Sequence, residues 1–163
     1  MEKVINVTDK YVAFWGSVFS NFYPCTFVNE DGNWSSSEQY FMWQKAKFFG
    51  DDEIADEIYN EQNPGKCKKL GRKVKNFDDS KWEKYAYQAM KKAVYDKFSQ
   101  NKLLKEELLS DKYAGKHFVE GSPFDGRWGI KLIYTSDTID DESTWNGLNW
   151  LGKVLDEVRE MLK

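Results

Sequence analysis

The chain has 163 residues, a net charge of −3 and an aromatic fraction of 17%. The length favours one domain with a real core, and the charge excludes nucleic-acid binding through bulk positive charge. No apolar run of about eighteen residues and no basic-then-apolar leader in "MEKVINVTDKY" points to a cytosolic protein with no membrane partner.

In chain order, "KVINVT" and "KYVAFWG" read as short strands, and "CTFVNEDGNWSS" carries Asp31-Gly32, a hairpin turn signal. A helix is expected from Ser36 to Phe49. "DDEIADEIYNE" follows with Ile54, Ile58 and Tyr59 on one side. Pro64 suits the first turn of a short helix reaching Arg72. "DDSKWEKYAYQAMKKAVYDKFSQ" is the strongest helix. Ser80 and Glu83 have capping-box spacing there, and Trp82, Tyr85, Ala86, Ala89, Met90, Ala93 and Val94 form its buried stripe. After the amphipathic "NKLLKEELLSD", Gly121, Pro123, Gly126 and Gly129 break "KHFVEGSPFDGRWGIKLIYTS" into turns, with "GIKLIYT" as a short strand. The last helix, "GLNWLGKVLDEVREMLK", is expected to bury Leu148, Leu151, Leu155, Val158 and Leu162. The fold class is mainly α with a small β element (α+β), one domain over residues 1–163.

Glu38 in "WSSSEQYFMWQKAKFF" is the first candidate for chemistry. Ser35 and Glu38 have capping-box spacing, and a carboxylate suits the positive end of a helix dipole. At about 100° per residue, however, Glu38 shares one stripe of roughly 80° with Phe41, Lys45 and Phe48. The pattern fits a helix cap and a site carboxylate equally. "GKCKKLGRKVK" holds six cations and no acid, as a solvated helix face or an anion-binding edge would. Cys25 and Cys67 form no CxxC and read as reduced thiols. His117 is the one histidine, which argues against a histidine-rich metal site. Neither GxGxxG nor GxxxxGK[ST] is present. No metal or cofactor is expected.

Four ordered blocks resemble the NADAR or YbiA-like family: "FWGSVFSNFYP"; "WSSSEQYFMWQKAKFF"; "LGRKVKNFDDSKWEKYAYQAM" with "KFSQNKLLKEELL"; and "EGSPFDGRWGI" with "WNGLNWLGKVLDEVR". They span nearly the whole chain. Lys131 stands where the family has a glycine, and Gln39 where it commonly has histidine. The resemblance implies a compact, metal-free N-glycosidase. Its substrate would be a phosphorylated ribosylamino-pyrimidine of riboflavin synthesis. The alternatives are an ADP-ribosyl hydrolase acting on guanine bases or an NAD-derived nucleotide, with ADP-ribosylated nucleic acid as a partner, and a non-catalytic ADP-ribose-binding module.

Glu38 and Asp125 are, by that resemblance, the two carboxylates of one catalytic site. One stabilises positive charge at the sugar, and one activates water or serves the leaving nitrogen. Trp82 would stack on base or ribose, or else open a buried stripe. Trp128 is a second site aromatic or a loop anchor. Asn21 would bind ribose hydroxyls or hold its own loop. Phe22 is a stacking wall or core. Lys45 pairs with Glu38 or contacts a phosphate, and Arg72 offers a planar fork to a phosphate or is a surface cation. His117 is read as structural.

Overall fold

A computed structural model describes residues 4–163. Its described elements are β1 (Ile5–Val7), β2 (Tyr11–Phe14), β3 (Phe27–Asn29), β4 (Gly32–Trp34), α1 (Ser37–Phe48), α2 (Asp52–Tyr59), α3 (Pro64–Gly71), α4 (Asp79–Ser99), α5 (Lys102–Leu108), β5 (His117–Glu120) and α6 (Trp150–Leu162). Short 3-10 turns lie at Asp111–Tyr113 and Glu142–Thr144. This is the mainly helical α+β class expected. The chain divides into two compact units, one holding residues up to 20 together with 102–163, the other residues 21–101.

In the first unit β2 is the central strand of the order β1-β2-β5, antiparallel to β1 and parallel to β5. All four residues of β2 are buried, as a strand covered on both faces requires. Tyr11 and Ala13 join Val119, Ile130 and Ile139 in one cluster. Phe14 and Phe118 instead meet Phe19, at ring-centroid distances of 5.7 and 4.8 Å. Helix α6 packs on β5 and buries Leu151, Val154, Leu155 and Val158.

Three expectations are corrected in this unit. "HFVE" is a strand, because its backbone pairs with β2 in register Tyr11↔His117 to Phe14↔Glu120; a strand of four residues carries too little periodicity to announce it. "GIKLIYT" forms turns and no strand, with Lys131 left-handed at φ 55°. Leu148 is 51% exposed, because the chain passes through left-handed Asn149, φ 53°, before α6 begins. The strand expected over 3–8 is β1, and Lys3 lies outside the described residues.

In the second unit β3 and β4 form the expected hairpin, but Asn29 pairs with Gly32, so the loop residues are Glu30 and Asp31. Gly32 has φ +141° and lies against Tyr59, where an added Cβ would stand 2.6 Å from the hydroxyl. Trp34, Tyr40, Phe27 and Ala93 make a cluster behind the hairpin. Helix α1 packs on α2, α3 and α4. In α2, Ile54 and Ile58 are buried while Tyr59 stays exposed, its hydroxyl accepting a bond from the Asn33 amide. Helix α4 buries Trp82, Ala86, Met90, Ala93 and Val94 as expected. Tyr85, assigned to that stripe, is 56% exposed. The cap of α4 is Asp78, whose Oδ1 accepts from the Ser80 amide and hydroxyl at 3.0 and 2.6 Å. That replaces the expected Ser80–Glu83 pair. No described helix is long and apolar enough to cross a membrane.

Candidate active site

Helix α1 begins one residue later than its sequence suggests. The N-cap is Ser36, whose hydroxyl accepts from the Gln39 amide at 3.0 Å. Gln39 Oε1 reaches back to the Ser35 amide and hydroxyl at 2.8 and 2.9 Å. Gln39 Nε2 donates to the carbonyls of Ile58, Tyr59 and Glu61 at 3.1, 3.1 and 2.9 Å. The expected Ser35–Glu38 box is therefore replaced by Ser36 with Gln39. The physical reason is donor count. A neutral amide both accepts and donates, whereas a carboxylate has nothing to offer those three carbonyls. Three consecutive serines leave the register open, and this tertiary contact decides it.

Capping is thus the work of Gln39, and Glu38 is a carboxylate only 7% exposed in the first turn of α1. Its amide donates to the Asn21 carbonyl at 3.1 Å. Asn21 Oδ1 accepts from the Ser37 hydroxyl at 2.9 Å. Asn21 is itself buried, and these bonds fasten it to the helix start beside Glu38. The buried Cys67 thiol donates to the Glu61 carbonyl at 3.2 Å. Burial pushes that thiol up to about 12, helped by the charges of Glu61 and Glu38. Glu38 therefore lies within electrostatic reach of the α2–α3 turn that Gln39 grips.

The other candidates of residues 21–101 take distinct positions. Trp82 is buried in the first turn of α4, with ring centroids 5.4 Å from Phe41 and 5.4 Å from Phe48. Lys45 places Nζ 4.4 Å from the Phe77 ring centroid, about 10 Å along the helix from Glu38. Phe22 is exposed beside α3, where Lys68 Nζ stands 5.9 Å from its ring. Arg72 is the exposed C-cap of α3. A surface hollow of about 550 Å³ between α2 and α3 is lined by Asp56, Glu57, Asn60, Glu61, Lys66, Lys69 and Leu70. It contains none of the candidates.

Asp125 and Trp128 belong to the first unit. Both lie on the loop that follows β5, next to the loop that follows β2, since the Gly121 amide bonds the Phe14 carbonyl at 2.7 Å. Loops beyond the carboxyl ends of parallel strands are common ligand-binding places. Asp125 Oδ1 accepts from the amides of Arg127 and Trp128, both at 2.9 Å. The carbonyls of Gly126, Arg127 and Trp128 then accept from the amides of Leu148, Trp150 and Leu151. This loop closes the N-terminal end of α6, whose Asn149 makes no side-chain cap bond. Asn149 instead spans to β5, donating to Phe118 O and accepting from the Glu120 amide, both at 3.0 Å. Trp128 meets Trp150 edge-on at 5.5 Å. His117, read as structural, pairs with Asp156 at 2.9 Å.

Lys131 closes the same loop, its amide donating to the Asp125 carbonyl at 3.2 Å. A left-handed residue with a Cβ costs about 1–2 kcal/mol, part of which glycine returns as lost unfolded-state restriction. Lys131→Gly is expected to raise stability by about 0.5–1 kcal/mol in urea unfolding. Lys131→Ala is expected to give no gain.

Two further groups escaped the sequence reading. Glu120 ends β5, and its carbonyl accepts from the Ile130 amide at 3.1 Å. Lys97 is fully buried, over the faces of Tyr23 and Phe98 at 5.7 and 4.9 Å. Burial pushes its ammonium down to about 8. The available signal was periodic: Lys97 stands seven residues past Met90 and four past Ala93, on the buried stripe. Among the described residues, no group of three or more His, Cys, Asp or Glu is placed to hold a metal ion.

The NADAR domain matches residues 13–163. The chain is 39% identical to Protein irg-1 of Caenorhabditis elegans, across 95% of this chain and 81% of that one. It is 37% identical to N-glycosidase R617 of Acanthamoeba polyphaga mimivirus, across 94% and 96%. The solved structure of the E. coli protein YbiA superposes with a TM-score of 0.75 at 29% identity, covering 98% of this chain and 88% of that one. A Vibrio vulnificus protein named for riboflavin biosynthesis is 28% identical, and the matched region spans 35% of its length. With the domain matched from residue 13 to the C-terminal end and a YbiA-like fold beneath it, the chain belongs to the NADAR domain family.

Proposed function

We propose that this N-glycosidase hydrolyses the C–N bond of a phosphorylated ribosyl compound, a ribosylamino-pyrimidine of the riboflavin route, with Glu38 and Asp125 as its carboxylates. The observation that carries the reading is Glu38 itself: buried, at the positive end of α1, and relieved of capping by Gln39. Departure of the nitrogen leaves positive charge on C1′ and the ring oxygen. An anionic carboxylate held against that charge lowers the barrier. Water adds at C1′, its proton passes to a carboxylate, and the leaving nitrogen takes a proton as the C–N bond breaks. A ribosylamine that first opens to a Schiff base needs the same groups. Asn21 supports the site by fixing the helix start on which Glu38 stands. Trp82 supports it as the packed wall beneath Phe41.

A second reading, release of ADP-ribose from a modified guanine, is favoured by the cations of α3. Lys66, Lys68, Lys69 and Arg72 are all exposed there, suited to a further phosphate. Mass spectrometry of products from a ribosylamino-pyrimidine phosphate and, separately, from ADP-ribosylated DNA separates the two. The expected outcome is free pyrimidine amine and ribose phosphate from the first substrate. Release of ADP-ribose alone would overturn the substrate assignment.

A further inference from the structure

Two aromatic side chains of the first unit stand where the loops after β2 and β5 leave the sheet. The two strands run parallel and end side by side, with Phe14 paired to Glu120. Trp15 is the next residue after β2, and Phe124 lies on the loop just beyond β5. Their rings meet at a centroid distance of 5.8 Å with planes 60° apart. Trp15 is 38% exposed and Phe124 78%.

A single exposed ring is ordinary. This pair differs in standing on backbone that is tied on both sides. The Trp15 amide donates to the Val4 carbonyl at 3.0 Å. Gly16 and Ser17 then turn the chain with positive φ, 87° and 68°. The Phe124 amide donates to the Ser122 hydroxyl at 3.2 Å. After it, Asp125 is fixed by the Lys131 amide at its carbonyl and by the Arg127 and Trp128 amides at Oδ1. Trp128, on the same loop, is half-buried and meets Trp150, which anchors the loop to α6. Phe124 stays mostly in solvent, and with Trp15 it makes an angled aromatic corner beside a candidate carboxylate.

Position and chemistry select the ligand. Phe124 precedes Asp125, with Cα atoms about 3.8 Å apart. The base of an N-riboside begins at the nitrogen whose bond is cut, so a substrate served by Asp125 carries its base close to that residue's chain neighbours. Ring faces offer no hydrogen bond to a phosphate or a ribose hydroxyl, and covering such groups with apolar surface is costly. A flat heterocycle has a π-face that stacks on them.

We propose that Trp15 and Phe124 form the stacking subsite for the leaving base, a flat amino-substituted heterocycle. The identity of that ligand rests on the C–N hydrolase reading. The rings exchange no proton, so they act on binding and base choice and leave cleavage to the carboxylates.

Equilibrium dialysis of the full chain against diaminouracil, guanosine and ribose phosphate tests the subsite without turnover. Diaminouracil stands for the pyrimidine substrate and guanosine for the ADP-ribosyl-guanine alternative. Saturable binding of at least one base is expected, and Phe124→Ala is expected to weaken it roughly 5- to 150-fold. Phe124→Leu and Trp15→Leu, apolar but ringless, are expected to weaken it likewise, whereas Phe124→Tyr retains it. Ribose phosphate is expected to bind all the Phe124 variants as it binds wild type. The melting temperature of those variants is expected to stay near wild type, because Phe124 is mostly exposed. In steady-state hydrolysis Phe124→Ala is expected to raise KM and leave kcat unchanged. Dialysis breaks no bond, so base binding can fail with hydrolysis intact and hydrolysis can fail with base binding intact. Absence of base binding by wild type, full binding by Phe124→Leu, or a fall in kcat at constant KM would overturn the proposal. So would a wild-type dimer in sedimentation that Phe124→Ala dissociates, since the corner would then be a contact between copies.

Discussion

Glu38→Gln is expected to lower kcat/KM for C–N hydrolysis by about 10²–10⁴-fold while leaving the melting temperature near that of wild type. The expectation of retained stability comes from the cap. Ser36 and Gln39 satisfy the start of α1 between them, so exchanging a carboxylate oxygen for an amide at position 38 removes no capping bond. The Glu38 amide keeps its bond to the Asn21 carbonyl, because that bond is made by backbone atoms. What changes is charge. A neutral group at the first turn of α1 can neither balance a cationic sugar nor accept a proton from water. Had Glu38 been the cap, the same substitution would lower stability and activity together. Thermal unfolding and steady-state kinetics on one preparation separate these outcomes.

Asp125→Asn is expected to reduce kcat/KM by about 10²-fold or more with the loop after β5 intact. Asparagine keeps the Oδ1 acceptor that receives the amides of Arg127 and Trp128, and gives up only the charge. Asp125→Ala removes the acceptor as well. Two buried or half-buried amides then lose their partner, at about 1–3 kcal/mol for a group left unsatisfied. The loop carbonyls that close α6 would shift with it. Alanine is therefore expected to lose both activity and stability, and asparagine activity alone. An asparagine variant as active as wild type would make Asp125 an organiser of its loop and no participant in the chemistry.

Much of this molecule was legible where local rules operate. Pro64 at a helix start and the apolar stripe of α4 follow from φ restriction and side-chain period, and the structure shows both. Several of the misreadings share one cause. The register of α1 is chosen by Gln39 reaching carbonyls about twenty residues away. β5 exists because β2 lies beside it, with more than a hundred residues between them. Lys131 adopts a glycine-like φ in a loop that its own amide closes onto the Asp125 carbonyl and that the Leu148 amide ties at the Gly126 carbonyl. None of these contacts leaves a local pattern. The candidate site was half legible for the same reason. Glu38 stood out as an acid on an aromatic stripe, but whether it capped the helix could be decided only by seeing what Gln39 does. Asp125 was proposed through its family motif, and its double amide bond was not readable from residue type.

The proposed chemistry rests on a helix-start carboxylate, with Ser36 and Gln39 as the cap, driving cleavage of a sugar–nitrogen bond. The most direct measurement is a product inventory by mass spectrometry after a single turnover of a ribosylamino-pyrimidine phosphate, run side by side with wild type and Glu38→Gln. Equal amounts of free amine and ribose phosphate from wild type, and almost none from the variant, are predicted. Release at the wild-type rate by a folded Glu38→Gln protein would contradict it.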